Sequence, residues 1–202
     1  MPIDKSIDYS AITPEIKALT KLCLADNVIE PEMYVKYAVN RGLRDLNGNG
    51  VLTGLTEISE IQSSKMVDGE KVPCEGKLFY RGVDVEQIVS GFIREKRYGF
   101  EETVYLLLFG ALPDEAQLDD FKKLLAGYRS LPTNFVRDVI LKAPNADMMN
   151  TLARSVLTLY SYDARATDNS TENVLRQCLQ LIALFQVGGQ AVLGRQDSLP
   201  TP

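Results

Sequence analysis

The sequence has no histidine among its 202 residues. Histidine is the side chain most often used to move protons near neutral pH. Without it these residues cannot assemble a Ser-His-Asp or Cys-His site, or a His-ligated metal site. Cysteine is scarce as well: Cys23, Cys74 and Cys178 are scattered and odd in number. They give neither a disulfide framework nor a metal-ligand spacing, so reduced thiols in a cytoplasmic protein are expected. Positive charge is not in excess. The formal net charge is −5, whereas a nucleic-acid partner needs a concentrated basic surface, so none is expected. No apolar run approaches membrane-spanning length, and the opening MPIDKSIDYS has no apolar core of a secretory signal. Neither a membrane span nor a signal is expected. Internal repeats and low-complexity segments are lacking too.

What is present is a chain long enough for one sizeable core, or for two small ones. Its organising stretch runs from Gly76 to Phe121. Lys77 to Arg81 reads as a strand closed by Gly82. Asp84 is a good N-cap, and Val85, Ile88, Val89 and Phe92 follow on one helical face, with Gly99 as the stop. The next run, Phe100 to Phe109, opens with Glu101 and Glu102 at the positive end of a helix. It is apolar on nearly every side, so burial all round is expected. Gly110 ends it, and Pro113 opens an amphipathic helix to Arg129 with Leu118, Phe121, Leu124, Leu125 and Tyr128 inward.

The string YRGVDVEQIV, then GFEETVYLLLFGALPDEAQLDDF, resembles the amino-terminal half of citrate synthases, including 2-methylcitrate synthases. The combination is specific; each piece alone is weak. The resemblance spans roughly residues 29–185. It implies a mainly α, multi-helical fold and a condensation of acetyl-CoA or a related acyl-CoA with oxaloacetate. In this family the chemistry falls to histidines and an aspartate in the carboxyl-terminal half. The resemblance therefore implies an inactive amino-terminal fragment, with acyl-CoA as a substrate of the parent family and no bound cofactor. It also implies a homo-oligomer or association with a full-length synthase. A non-catalytic helical module that binds or regulates a full-length synthase is the alternative.

Along the rest of the chain, Thr13-Pro14-Glu15 is a helix start, with Ile16, Leu19, Leu22 and Cys23 on one face. Pro31 starts a short helix whose Met33, Tyr34, Tyr37 and Ala38 read as packing. A small β-hairpin is expected near residues 52–81, from a strand Leu52 to Ile61 and a second at Lys77 to Arg81. Asp68-Gly69 between them is a strong turn dipeptide, and the intervening residues could fold back as a minor strand. Pro132-Thr133 begins a helix with Val136, Val139 and Ile140 inward. Asp147 caps another with Met149, Leu152, Val156 and Tyr160 on its face. Ser170 or Thr171 opens the last, where Val174, Cys178, Leu181 and Phe185 align. From Gln186 the glycines and prolines are expected to stop the helix. The expected organisation is thus an N-terminal helical extension (1–28), a family region (29–185) and a disordered, non-family tail (186–202).

Candidate sites are few. Asp45, Asn47 and Asn49 with Gly50 mimic a calcium loop, but its twelfth position is Thr56 and Glu57 comes one residue late. A glycine-rich turn is the simpler reading. Arg81 beside a turn could hold a carboxylate or phosphate. A structural ion pair or carbonyl clamp, with Asp84 as a partner, is favoured instead. Tyr80 and Tyr105 read as packing. Glu101 and Glu102, being consecutive on a helix, do not face each other. Cys178 reads as a buried, inert thiol. Arg41 and Arg44 flank the glycine loop and could meet an anion. No catalytic, cofactor-binding or metal-ligating residue is assigned.

Overall fold

Several helix starts in this protein fall where a side-chain cap places them. In the computed structural model, which describes residues 8–40, 42–44, 47–48, 51–142 and 147–196, α1 (Pro14–Ala25) opens with the Thr13 hydroxyl accepting from the Ile16 N–H at 3.4 Å. Of its expected apolar face Ile16 is buried, while Leu22 is exposed and Thr20 is buried instead. The short α2 (Pro31–Lys36) buries nothing, and Tyr34 and Tyr37 are exposed, contrary to the packing expected of them.

The chain divides into two compact units. The first, Lys21–Leu118, is called here the hairpin unit. Its sheet is three-stranded and antiparallel, in the order β1 (Ser59–Val67), β2 (Glu70–Tyr80), β3 (Val83–Asp84). Val67 pairs with Glu70, so Asp68-Gly69 is a two-residue loop, with both residues at positive φ (53° and 84°). That is the turn whose twist matches paired strands, and Asp-Gly suits it. Tyr80 pairs with Val83, and Arg81-Gly82 repeats the device at φ 49° and 78°. The hairpin therefore starts seven residues later than expected, at Ser59 rather than Leu52. The stretch 62–76, expected as loop or hairpin or as a minor strand, is the body of the hairpin, with Glu70–Pro73 paired to Ser64–Val67. The turn at Asp68-Gly69 fixes the register from its own end, and the strand expected at Leu52–Ile61 pairs only from Ser59. The register shifts between Gln62 and Ser64, opposite Pro73 to Lys77. Proline has no N–H for a ladder and is tolerated beside such a bulge.

Asp84 ends β3 and caps α3 (Val85–Glu95), accepting from the Glu86 N–H at 2.9 Å. The helix stops at Lys96, in the left-handed region at φ 52°, rather than at Gly99. Gly99 serves another purpose. A Cβ there would lie 1.9 Å from the Phe92 ring. Helix α4 (Phe100–Phe109) follows, ending at Gly110 with φ 85°. Tyr105, Leu106 and Phe109 are buried, and the Tyr105 and Phe109 rings lie 4.7 Å apart. Leu107 and Leu108 are only half-buried, so burial all round is incomplete.

The second unit, called the terminal unit, gathers the residues up to Thr20 and from Asp119 onward. Helix α5 (Glu115–Gly127) crosses from one unit to the other. Its start is a reciprocal box: Asp114 accepts from the Gln117 N–H at 2.8 Å, and Gln117 accepts from the Asp114 N–H at 2.9 Å. Phe121 and Leu125 are buried, as expected. A π-helical turn (Val136–Leu141) replaces the helix expected after Pro132, with Phe135 and Ile140 buried.

Asp147 caps α6 (Met148–Leu159), accepting from the Asn150 N–H at 3.1 Å. Of the apolar face expected of α6, Leu152 and Val156 are half-buried and Met149 and Tyr160 exposed, while Thr151 and Ser155 are the buried residues. Each buried hydroxyl donates to the carbonyl four residues back, Thr151 to Asp147 and Ser155 to Thr151. Helix α6 packs against α7 (Thr171–Gln196).

Helix α7 overturns two expectations. Val174, Cys178 and Phe185 are exposed, while Asn173, Leu175, Arg176 and Leu179 are buried. The helix also runs on through Gly188, Gly189 and Gly194 to Gln196. Each interior glycine costs about 1 kcal/mol against alanine. Extending an already nucleated helix nonetheless adds one hydrogen bond per residue, so the run from Thr171 carries through them. Among the described residues, no helix is long and apolar enough to cross a membrane.

Candidate functional site

Two polar clusters stand out, one in each unit. In the hairpin unit, the second turn presents Arg81. Its backbone N–H donates to Ile58 O at 3.0 Å. Its guanidinium donates from Nε and Nη2 to Leu107 O, at 3.2 and 3.0 Å, and from Nη1 to Asp26 O at 3.4 Å. A further bond runs to the Asn27 side chain. Leu107 O lies in the last turn of α4 and Asp26 O just past α1. Carbonyls at helix ends have no partner within the helix, and a planar fork of donors suits them. Arg81 is thus a carbonyl clamp. Asp84 is not part of it; that carboxylate caps α3 and lies 3.5 Å from Lys77 Nζ. A recess of about 170 Å³ lies beside Arg81, lined by Asn27, Ile29, Thr56, Glu57 and Ile58. The donors that an anion would need there are already given to carbonyls.

In the terminal unit the centre is Arg176, with no exposed surface. Its Nη2 donates to Asp163 Oδ2 at 2.7 Å and to Asn173 Oδ1 at 2.7 Å, and its Nε to Asn173 Oδ1 at 3.0 Å. Nη1 donates to Gln180 Oε1 at 2.8 Å and to Tyr9 O at 2.5 Å. Asp163 accepts in addition from Gln177 Nε2 at 3.0 Å, the Arg165 N–H at 2.9 Å and Ser10 Oγ at 3.0 Å. Burial pushes the Asp163 carboxyl up, but the donors from Arg176, Gln177, Arg165 and Ser10 outweigh it and hold it down at about 2. A buried charge is tolerable only when so completely partnered.

A second recess, of about 230 Å³, opens beside this cluster, with walls from Tyr9, Val156, Leu159, Tyr162, Leu181 and Leu184. Its polar edge is Asp163, Gln177 and Gln180. The signal for the cluster was available: Asn173, Arg176, Gln177 and Gln180 keep helical spacing as faithfully as the apolar residues of α7 do. Assigning the inward face to the apolar series hid it.

The other candidates are dispersed. Tyr105 is buried, and burial together with the Asp114 charge pushes its phenol up. Glu102 pairs with Arg97, which also contacts Glu95 at 2.5 Å and lies over the Phe92 ring at 4.8 Å. Tyr80 is half-buried in β2. Cys178 is exposed rather than buried, because the polar stripe turns the other face of α7 inward. Arg44 donates to Gly48 O at 3.5 Å. Arg41, Asp45, Asn49 and Gly50 lie outside the described residues. Among the described residues no group of three or more acidic or cysteine side chains could hold a metal ion.

Comparison with known proteins gives these residues a context. The family profile described as "Citrate synthase, C-terminal domain" matches residues 45–193. The citrate synthase of Saccharolobus solfataricus is 28% identical over 148 residues, covering 72% of this chain and 36% of that protein. 2-Methylcitrate synthase 1 of Corynebacterium glutamicum is 30% identical over 144 residues, 67% of this chain and 33% of that protein. Among solved structures, citrate synthase from Pyrobaculum aerophilum aligns with a TM-score of 0.53 at 25% identity, covering 75% of this chain and 39% of its own. The chain therefore spans about a third of the length of the relatives it matches.

Proposed function

Because the chain belongs to the citrate synthase family, we propose that it carries part of the scaffold of an enzyme joining an acyl-CoA to oxaloacetate, and that these 202 residues alone do not catalyse the reaction. The condensation needs a base for the acyl α-proton and donors for the developing enolate. The absence of histidine carries the reading. The family resemblance puts the histidines and the aspartate that serve these roles in the carboxyl-terminal half. Two groups in the buried regions support it: Asp163 is held at about 2 and the Tyr105 phenol is pushed up, so neither is poised to exchange a proton near pH 7.

The parent enzyme belongs with the tricarboxylic acid cycle or with 2-methylcitrate formation, in the cytoplasm, as a homo-oligomer. The test is thiol release from acetyl-CoA or propionyl-CoA in the presence of oxaloacetate. No release above the blank is expected from the purified chain. Turnover in the ordinary enzymatic range, about 1 to 10³ per second, overturns the proposal. A second reading is favoured by exposed apolar side chains such as Tyr98 (94% exposed) and Leu157 (76%). In it the chain is a helical module that binds a full-length synthase. Co-purification with an intact family member, and a change in that enzyme's rate, separates this reading from a solitary fragment.

A further inference from the structure

The residues just before α1 lie outside the family match at 45–193, yet they reach Arg176, fully buried in the terminal unit. Tyr9 O accepts from Arg176 Nη1 and from Gln180 Nε2, at 2.5 and 2.8 Å. Ser10, itself 8% exposed, donates to Asp163 Oδ1 at 3.0 Å and accepts from the Ala164 N–H at 2.8 Å. A local turn presents both residues: Asp8 Oδ1 accepts from the Ser10 N–H at 2.9 Å, and Asp8 O accepts from the Ala11 N–H at 3.3 Å. Tyr9 is also a wall of the 230 Å³ recess.

We propose that residues 8–12 are a docked strap, a peptide ligand of the Arg176 cluster carried on the same chain, whose seating closes one side of the recess. The contacts are specific and polar: the Tyr9 carbonyl accepts from Arg176 and Gln180, and the Ser10 hydroxyl bridges Asp163 and the Ala164 N–H. If the strap leaves, Arg176 keeps Asp163, Asn173 and Gln180, so the charge at the centre stays paired. Release therefore costs a few hydrogen bonds and spares the helices. Because the strap is tethered to α1, its local concentration is high and the seated form dominates.

Chymotrypsin cleaves after tyrosine, and cleavage at Tyr9, mapped by mass spectrometry, reads the seating directly. Ser10→Ala removes both hydroxyl bonds and leaves the side-chain partners of Arg176 in place. Cleavage at Tyr9 is expected to rise roughly three- to tenfold, the effect of losing about one net hydrogen bond. The helical transition in urea is expected to stay cooperative, its midpoint lowered by no more than that same fold-change implies, while an apolar fluorescent dye gains emission as the recess opens. Two results overturn the proposal. One is cleavage of the native chain as fast as a peptide spanning Asp8–Thr13, or equal cleavage in native and variant chains. The other is loss of the helical transition in Ser10→Ala, which makes the segment a fixed part of the core.

Discussion

At the scale of single residues, Asp163 decides how the terminal unit responds to acid. Its folded value is about 2 against an ordinary 3.8, so the contribution is fully present above about pH 4. It is lost as the pH falls from there towards 2. The difference corresponds to about 2 kcal/mol. Asp163→Asn leaves Arg176 buried with one fewer counter-charge. Urea unfolding at pH 5 should show a loss of at least this size, and the gap between the two proteins should narrow towards pH 2. Parallel stability curves across that range would mean that the carboxylate is not what balances Arg176. Gly99 makes a second point at this scale. It reads in sequence as a helix stop, but the positive φ that ends α3 falls on Lys96. The glycine is needed for the close approach of the Phe92 ring, which only coordinates reveal.

At the scale of elements, Arg81 ties strand to helix. It sits at φ 49°, where a side chain with a Cβ costs roughly 1–2 kcal/mol. The clamp on Leu107 O, Asp26 O and Asn27 offsets that cost. Arg81→Lys keeps the charge and the backbone strain but loses the planar fork. Chemical denaturation is expected to show the hairpin unit weakened by about 1–3 kcal/mol; an unchanged midpoint would mean that the carbonyls find water instead. Here too lies the boundary of what the residues alone disclose. Helix starts at Thr13, Asp84 and Asp147 were legible because a cap is a local interaction. The clamp reading of Arg81 was legible as a class, but not its partners, which lie 26 and 55 positions away in the chain. The inward faces of α6 and α7 were not legible. Apolar periodicity selects a face only when hydrophobicity decides it, and here Thr151, Ser155 and the Arg176 network do.

For the molecule as a whole, the quantity that matters is the apolar surface left outside. Val35, Leu43, Ile61, Ile93, Tyr98, Met149 and Leu157 are each between 69% and 94% exposed. Single exposed apolar residues are ordinary, but contiguous patches drive association. The purified chain is expected to grow in apparent mass with concentration in sedimentation velocity, and added salt should not reverse it. A clean monomer across a hundredfold range of concentration would argue that these side chains are covered within the chain itself.

The first β-turn has a practical corollary. Strands β1 and β2 are exposed along most of their length and meet at Asp68-Gly69, at the opposite end of β2 from Arg81. Lengthening a loop costs little closure entropy, about 0.6 kcal/mol per doubling. That tip is therefore the natural graft point for an epitope or a fluorophore, a place where the chain can be visibly marked while both polar clusters remain intact.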